Sequence, residues 1–223
     1  MTTARLLGCT QPVEDITYDI GSVLELIAYC ARVSNPTNQL NKETSERLLG
    51  YLVRHKHWSP FELASATLEI ETTRDIARQL LRHRSFTFQE FSQRYGDVSD
   101  IDDTFVIREC RLQDPVNRQN SIPCEDTSLN VWWDAKQKFI IDQVQSIYDE
   151  ALERGIAKEQ ARVILPEGNT TSRLYVQGTI RSWIHYVELR SSNGTQKEHR
   201  ELARCIAEAI SEIFPAIDDY VGE

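Results

Sequence analysis

Between Ala64 and Glu71 the chain alternates. Ala64, Ala66, Leu68 and Ile70 fall on one side, and Ser65, Thr67, Glu69 and Glu71 on the other. A period of two marks a strand with one buried face, so Phe61–Thr72 is read as a half-buried strand. The rest of the chain must supply the cover for that face, and most of it has a helical pattern. Ala4–Cys9 is a plausible first strand, and Val23, Leu24, Ile27 and Cys30 place a helix over Val23–Ala31. Ser34–Asn38 breaks the chain, and Ser45–Lys56 is a second helix. Thr72 or Thr73 is expected to cap a helix running to about Arg84, with Asp75 in its first turn. Gly96 to about Asn130 is polar and poor in pattern, with one short strand expected at Phe105–Leu112.

Trp132–Arg154 reads as a long helix ended by Gly155, and Lys158–Leu165 as a short one before Pro166. Ser172–Gln177 is a candidate strand. Ile180–Leu189 is a helix whose stripe is Ile180, Trp183, Ile184 and Val187. Thr195-Gln196-Lys197-Glu198 has the form of a capping box, opening a last helix with Leu202, Ile206, Ala209, Ile210 and Ile213 inward, stopped by Pro215. Helices that do not alternate with strands point to an α+β fold. At 223 residues, one domain over 1–223 is expected.

A formal charge of -9 argues against a general nucleic-acid binder, whose affinity comes from neutralising phosphates. No apolar run is long enough to span a membrane. MTTARLLGCTQPVED lacks the pattern of a secretion leader. The cysteines (Cys9, Cys30, Cys110, Cys124, Cys205) are odd in number and widely spaced, which reads as reduced intracellular thiols. No partner and no location is expected at a membrane.

Against that acidic background, five arginines face two acids between Arg74 and Arg94. On a helix, Arg74, Arg78 and Arg82 would share one face, with Gln79 and His83 beside it. Guanidinium groups bind phosphate through paired hydrogen bonds, and Phe86, Phe88, Phe91 and Tyr95 could flank an aromatic ring system. An arginine stripe is also what a solvated face with surface ion pairs looks like, and spacing alone leaves both readings open. His55-x-His57 has no third ligand at a useful spacing and is discounted as a metal site, so no metal is expected. A degenerate nucleotide binder, or a metal-dependent hydrolase around His55, His57 and His83, would be the rival readings.

Arg82-His83-Arg84, seven residues and then Ser92 resembles the signature of the flavin-dependent thymidylate synthases, and Arg94-Tyr95 continues it. Ala31-Arg32-Val33-Ser34, His57–Glu62 (HWSPFE), Ala161–Pro166 (ARVILP) and Leu189-Arg190 with Gln196-Lys197-Glu198 resemble that family's other blocks in the family's order. The resemblance implies a small, mostly antiparallel sheet in a helix-rich domain, assembled as a homotetramer with shared active sites. It implies dTMP formation from dUMP, with carbon from 5,10-methylenetetrahydrofolate and hydride from FAD reduced by NADPH, in a cytoplasm (the host's, if the chain is virus-encoded).

By the same resemblance Gln79, Leu80, Leu81, Arg82, Glu90, Phe91, Ser92, Gln93, Arg94, Arg162 and Arg190 would hold dUMP. Arg94 and Arg162 suit its phosphate, and Arg190 the ionising pyrimidine N3. Ser34, His57, Ser59, Arg82, His83, Arg84, Glu90, Thr179, Ile180, Arg181 and His185 would hold FAD. No enzyme nucleophile is needed, in line with five cysteines of which none sits in an activating context. The chain departs from the family's pattern at Leu63, Gln93, Thr179, His185 and Gly194.

Overall fold

The computed structural model describes residues 2–13, 18–101 and 103–222. Thr3–Cys9 (β1) leads to the helices Val23–Ala31 (α1) and Ser45–Arg54 (α2), then a 3-10 turn over Ser59–Glu62 and the strand Ser65–Thr73 (β2). Arg74–Leu80 (α3) follows without a break, then Thr87–Glu90 (β3), and the small strands Arg111–Gln113 (β4) and Ser121–Pro123 (β5). Thr127–Glu153 (α4), Lys158–Ala161 (α5), Thr171–Thr179 (β6), Ile180–Arg190 (α6) and Lys197–Ser211 (α7) complete the order.

The main sheet is antiparallel, in the order β1-β2-β6-β3, and β4 pairs only with β5. The alternation read from the sequence sets its register. Leu68 lies between Leu6 and Val176, and Phe88 lies beyond Val176. One face of the sheet carries Ala66, Leu68, Ile70, Leu174 and Val176, all buried in one core with Ile180, Trp183, Ile184 and Val187 of α6 and Leu202, Ile206 and Ile210 of α7. Trp183 also donates its indole N–H to the Ala66 carbonyl (3.3 Å), satisfying its polar edge inside the core.

Several expectations are corrected. The strand starts at Ser65, because Pro60 and its neighbours form the 3-10 turn. The expected helix to Arg84 stops at Leu80, so Arg82 leaves the face of Arg74 and Arg78. It stops because the chain must turn back: His83 N–H donates to Leu80 O, and β3, which periodicity missed, pairs with β6. Thr73 is the N-cap of α3, as expected, but its hydroxyl donates to Asp75 (2.6 Å) and not to the backbone. The expected box at α7 does not form: the N-cap is Gln196, Thr195 bonds Leu189 O, and Glu198 pairs with Arg111. The expected strand Phe105–Leu112 is reduced to a single Phe105–Thr170 bridge and the start of β4. Helix α4 begins at Thr127, five residues before the expected Trp132, capped by Asp126.

Two strand-to-helix joints set the site. Because β2 and β6 are antiparallel, Thr73 pairs with Thr171 and Ser65 with Thr179, so the joints lie at opposite ends of the pair. Arg74 N–H donates to Thr170 O at one end, and Ile180 N–H to Ala64 O at the other. Strands of this length span about 27 Å. Helices α3 and α6 extend from these joints over about 10 Å and about 16 Å, and the segment just after α3 reaches the C-terminal end of α6, where His83 meets Arg190.

Candidate active site

Where the segment after α3 reaches α6, Arg190 Nε donates to His83 Nε2 (2.9 Å). The His83 ring stands edge-on to Tyr186, with centroids 4.9 Å apart. Burial first, then the Arg190 and Arg82 cations, pushes His83 down to about 4, so the ring is neutral and can accept. Tyr186 is buried and its hydroxyl is pushed upward by that burial. The hydroxyl lies 3.0 Å from His199 Nε2, and His199 Nδ1 lies 3.1 Å from Gln79 Oε1. Burial, then the Arg190 cation, pushes His199 down to about 3.

A second group lies at the Thr171 end of the sheet. Arg74, Arg78, Gln93, Glu159, Arg162, Val163, Leu165 and Glu167 line a cavity of about 410 Å³. Arg74 is buried and 3.4 Å from Glu90, which also accepts from the Ser172 hydroxyl (3.0 Å). Arg78 pairs with Glu167 (2.8 Å) and Arg94 with Glu159 (3.5 Å). Gln93 is buried and its Nε2 has no partner among the described residues, which leaves a donor beside three arginines of the cavity wall. The turn that carries Ser92 and Gln93 is closed by Tyr95 and Gly96 N–H groups on Ser92 O. A Cβ on Gly96 would stand 2.3 Å from the tip of the Phe91 ring, so a larger residue here would have to displace that ring.

The third group is at the opposite end. His57 and Ser59 are exposed beside the 3-10 turn, Arg181 of α6 forms an ion pair with Glu62, and His185 packs edge-on against Trp58 at 4.8 Å. Burial, then Arg181, lowers the pKa of His185. Arg82 and Arg84 are exposed and make no ion pair among the described residues, so two uncompensated guanidiniums flank a neutral histidine. That donor set fits the diphosphate of a dinucleotide such as FAD.

Some expected contacts are not available as side chains. Leu80 and Ile180 are fully buried in the core, and Leu81 packs against it. Phe86 is core too, 4.3 Å from Trp183, so it is no free stacking surface, whereas Tyr95 is exposed. Thr179 Oγ1 accepts from Ser182 N–H as the cap of α6. Arg32 of the first family block is buried on Asn41 O and Thr44 Oγ1, holding the loop that carries exposed Ser34. His83 serves Arg190, away from the His55 and His57 pair, and among the described residues no group of three potential metal ligands occurs. Arg74 and Arg78, placed on one face by the arginine spacing, do line one cavity with Arg162. Tyr186 and His199 were not singled out, because a lone buried tyrosine or histidine carries no signal in the sequence.

Comparison with known proteins gives the same frame. Residues 19–216 match the family model described as thymidylate synthase complementing protein. A probable flavin-dependent thymidylate synthase of Paramecium bursaria Chlorella virus 1 is 50% identical over 96% of both chains. The flavin-dependent thymidylate synthase of a Synechocystis strain is 46% identical, again over 96% of both. A UMP/dUMP methylase from Streptomyces cacaoi, solved with 5-Br dUMP, superposes with a TM-score of 0.77 at 26% identity, covering 99% of this chain and 94% of that one. The antiparallel sheet, the helix-terminal Arg190 on His83 and this match over most of the chain agree, and the chain belongs to the flavin-dependent thymidylate synthase family.

Proposed function

We propose that residues 1–223 act as one catalytic domain that converts dUMP to dTMP, taking carbon from 5,10-methylenetetrahydrofolate and using FAD reduced by NADPH. The observation that carries the reading is Arg190. Its Nε is committed to neutral His83, which fixes the guanidinium and leaves its outer N–H groups and charge for a ligand. A cation held at the pyrimidine N3 favours loss of the N3 proton. The ionised ring is richer in electrons at C5, the carbon that must form the new bond.

The cavity walled by Arg74, Arg78 and Arg162 supplies charge for a phosphate, and buried Gln93 Nε2 supplies a neutral donor. Glu90 holds Arg74 in place. Arg82, His83, Arg84, His57, Ser59, Arg181 and His185 would hold FAD, which when bound supplies the hydride.

The reading includes a homotetramer with shared sites. Two observations support it. The two strand-to-helix joints lie at opposite ends of β2 and β6, about 27 Å apart by strand length and farther than one nucleotide reaches. Helix α4 buries only Gln137 and Tyr148 of its 27 residues, and exposes Val131, Trp132, Trp133, Phe139, Ile140 and Ile147. An apolar face of that size is suited to a second copy of the chain. The test is direct. The purified chain should retain FAD after desalting, its visible spectrum should shift on adding dUMP, and the full mixture should yield dTMP. A protein that binds dUMP but never forms dTMP would leave a non-catalytic nucleotide binder.

A further inference from the structure

The direction of every hydrogen bond around Gln79 follows from one ion pair. Glu198 pairs with Arg111 and is held ionised, so its oxygens only accept. Gln196 must therefore turn its Nε2 to Glu198 Oε2 (2.9 Å), which leaves its carbonyl for Gln79 Nε2 (2.9 Å). Gln79 is then obliged to turn its own carbonyl to His199 Nδ1, so His199 carries its proton there and its Nε2 accepts a hydrogen bond from the Tyr186 hydroxyl. The reverse order would set the Gln196 carbonyl against a carboxylate. His199 is fully buried, so neither nitrogen has water as a substitute partner.

One Nε2 hydrogen of half-buried Gln79 remains without a partner among the described residues. We propose that His199, anchored through Glu198, is a positioning residue that sets substrate specificity: it locks the Gln79 amide so that N–H, and not C=O, meets the pyrimidine edge. At C4 a uracil ring offers a carbonyl oxygen to such a donor, whereas cytosine offers an amino group, itself a donor. A fixed donor facing C4 therefore selects uracil over cytosine, although both rings carry the C2 carbonyl. This rests on the reading of Gln79 as a dUMP contact.

The test is calorimetric binding of dUMP and of dCMP to the FAD-loaded protein and to four variants. His199→Leu removes both hydrogen bonds. Glu198→Gln keeps the shape but lets Gln196 turn either way. Both should lower the dUMP/dCMP affinity ratio by roughly tenfold or more, about 1.4 kcal/mol. His199→Asn, whose amide N–H can stand in for Nδ1–H, should keep most of the ratio. KM for dUMP should rise more than kcat falls. An unchanged ratio in both His199→Leu and Glu198→Gln overturns the proposal, and if the leucine variant does not fold, Glu198→Gln alone decides it. Wild-type dUMP affinity in Gln79→Ala would overturn the reading of Gln79 as a contact, and the proposal with it. Failure of the unaltered protein to bind dUMP would instead sink the synthase reading.

Discussion

Gly178 lies in β6, between β2 and β3, and faces the Phe86 ring. A methyl group there would stand 2.3 Å from Phe86 Cδ1 and 2.4 Å from Cε1, where ordinary contact is 3.4–4 Å. The shortfall exceeds an ångström, and neither side has room to give. Gly178 is paired with Ala66 of β2 next to the last β3 pair at Gln177, and Phe86 is wedged against Trp183, with 6% of its surface exposed. Gly178→Ala should therefore cost about 1–3 kcal/mol, the usual penalty for overpacking a core. For a chain of this size that is roughly 5 °C in Tm. The ring has one way to escape, by moving with the segment that carries it. Phe86 N–H is bonded to His83 O, so the displacement reaches His83 and its bond to Arg190. The variant should consequently lose turnover beyond what its stability explains. Phe86→Leu in the same chain should recover part of both losses, giving a coupling energy of about 0.5–3 kcal/mol between the two positions. Thermal melts and dTMP formation of the two single variants and the double variant complete the cycle. A Gly178→Ala protein with unaltered Tm and turnover would refute the packing argument, and additive effects would refute the link through Phe86.

Three further outcomes are expected. Arg190→Ala should retain the bound flavin's spectrum but lose methylation by about a thousandfold, since a cation some 4 Å from an anion is worth about 4 kcal/mol at an effective dielectric near 20; near-normal turnover would show that another group favours N3 ionisation. The ordinary histidine value is 6.5, whereas folded His83 protonates at about 4 and His199 at about 3. The unfolded chain thus binds more protons in that window, and stability should be full above pH 6.5 and fall as the pH drops toward 4. A urea midpoint that stays flat from pH 7 to about pH 4 would show that neither ring is held neutral. On α4, Trp132→Glu with Ile140→Glu should shift the mass seen by light scattering toward the single chain while leaving circular dichroism unchanged, because Trp132 is 52% and Ile140 50% exposed in one chain; an unaltered mass would place any assembly on another face.

Much of the frame was legible from local pattern. The period of two in Ala64–Glu71 yielded a strand whose inward residues are buried, and the spacing of Val23–Ala31 and Ile180–Val187 yielded helices at those positions. These features depend on side chains two to four residues apart, which any one chain displays in order. The resemblance to the family also marked His83 and Arg190, which do meet.

Other features depend on partners far away in the chain. The end of α3 at Leu80 and the strand Thr87–Glu90 are decided by pairing with β6, some 85 residues later. The Thr195–Glu198 box looked like a cap, but Arg111 takes the carboxylate from 87 residues away. The Gln79–His199–Tyr186 chain joins groups up to 120 positions apart, and the proton's place on His199 follows from the Arg111–Glu198 ion pair. Composition and periodicity determined which residues turn inward. Only the tertiary structure decided which polar atoms are left without a partner, because that depends on who else is buried beside them.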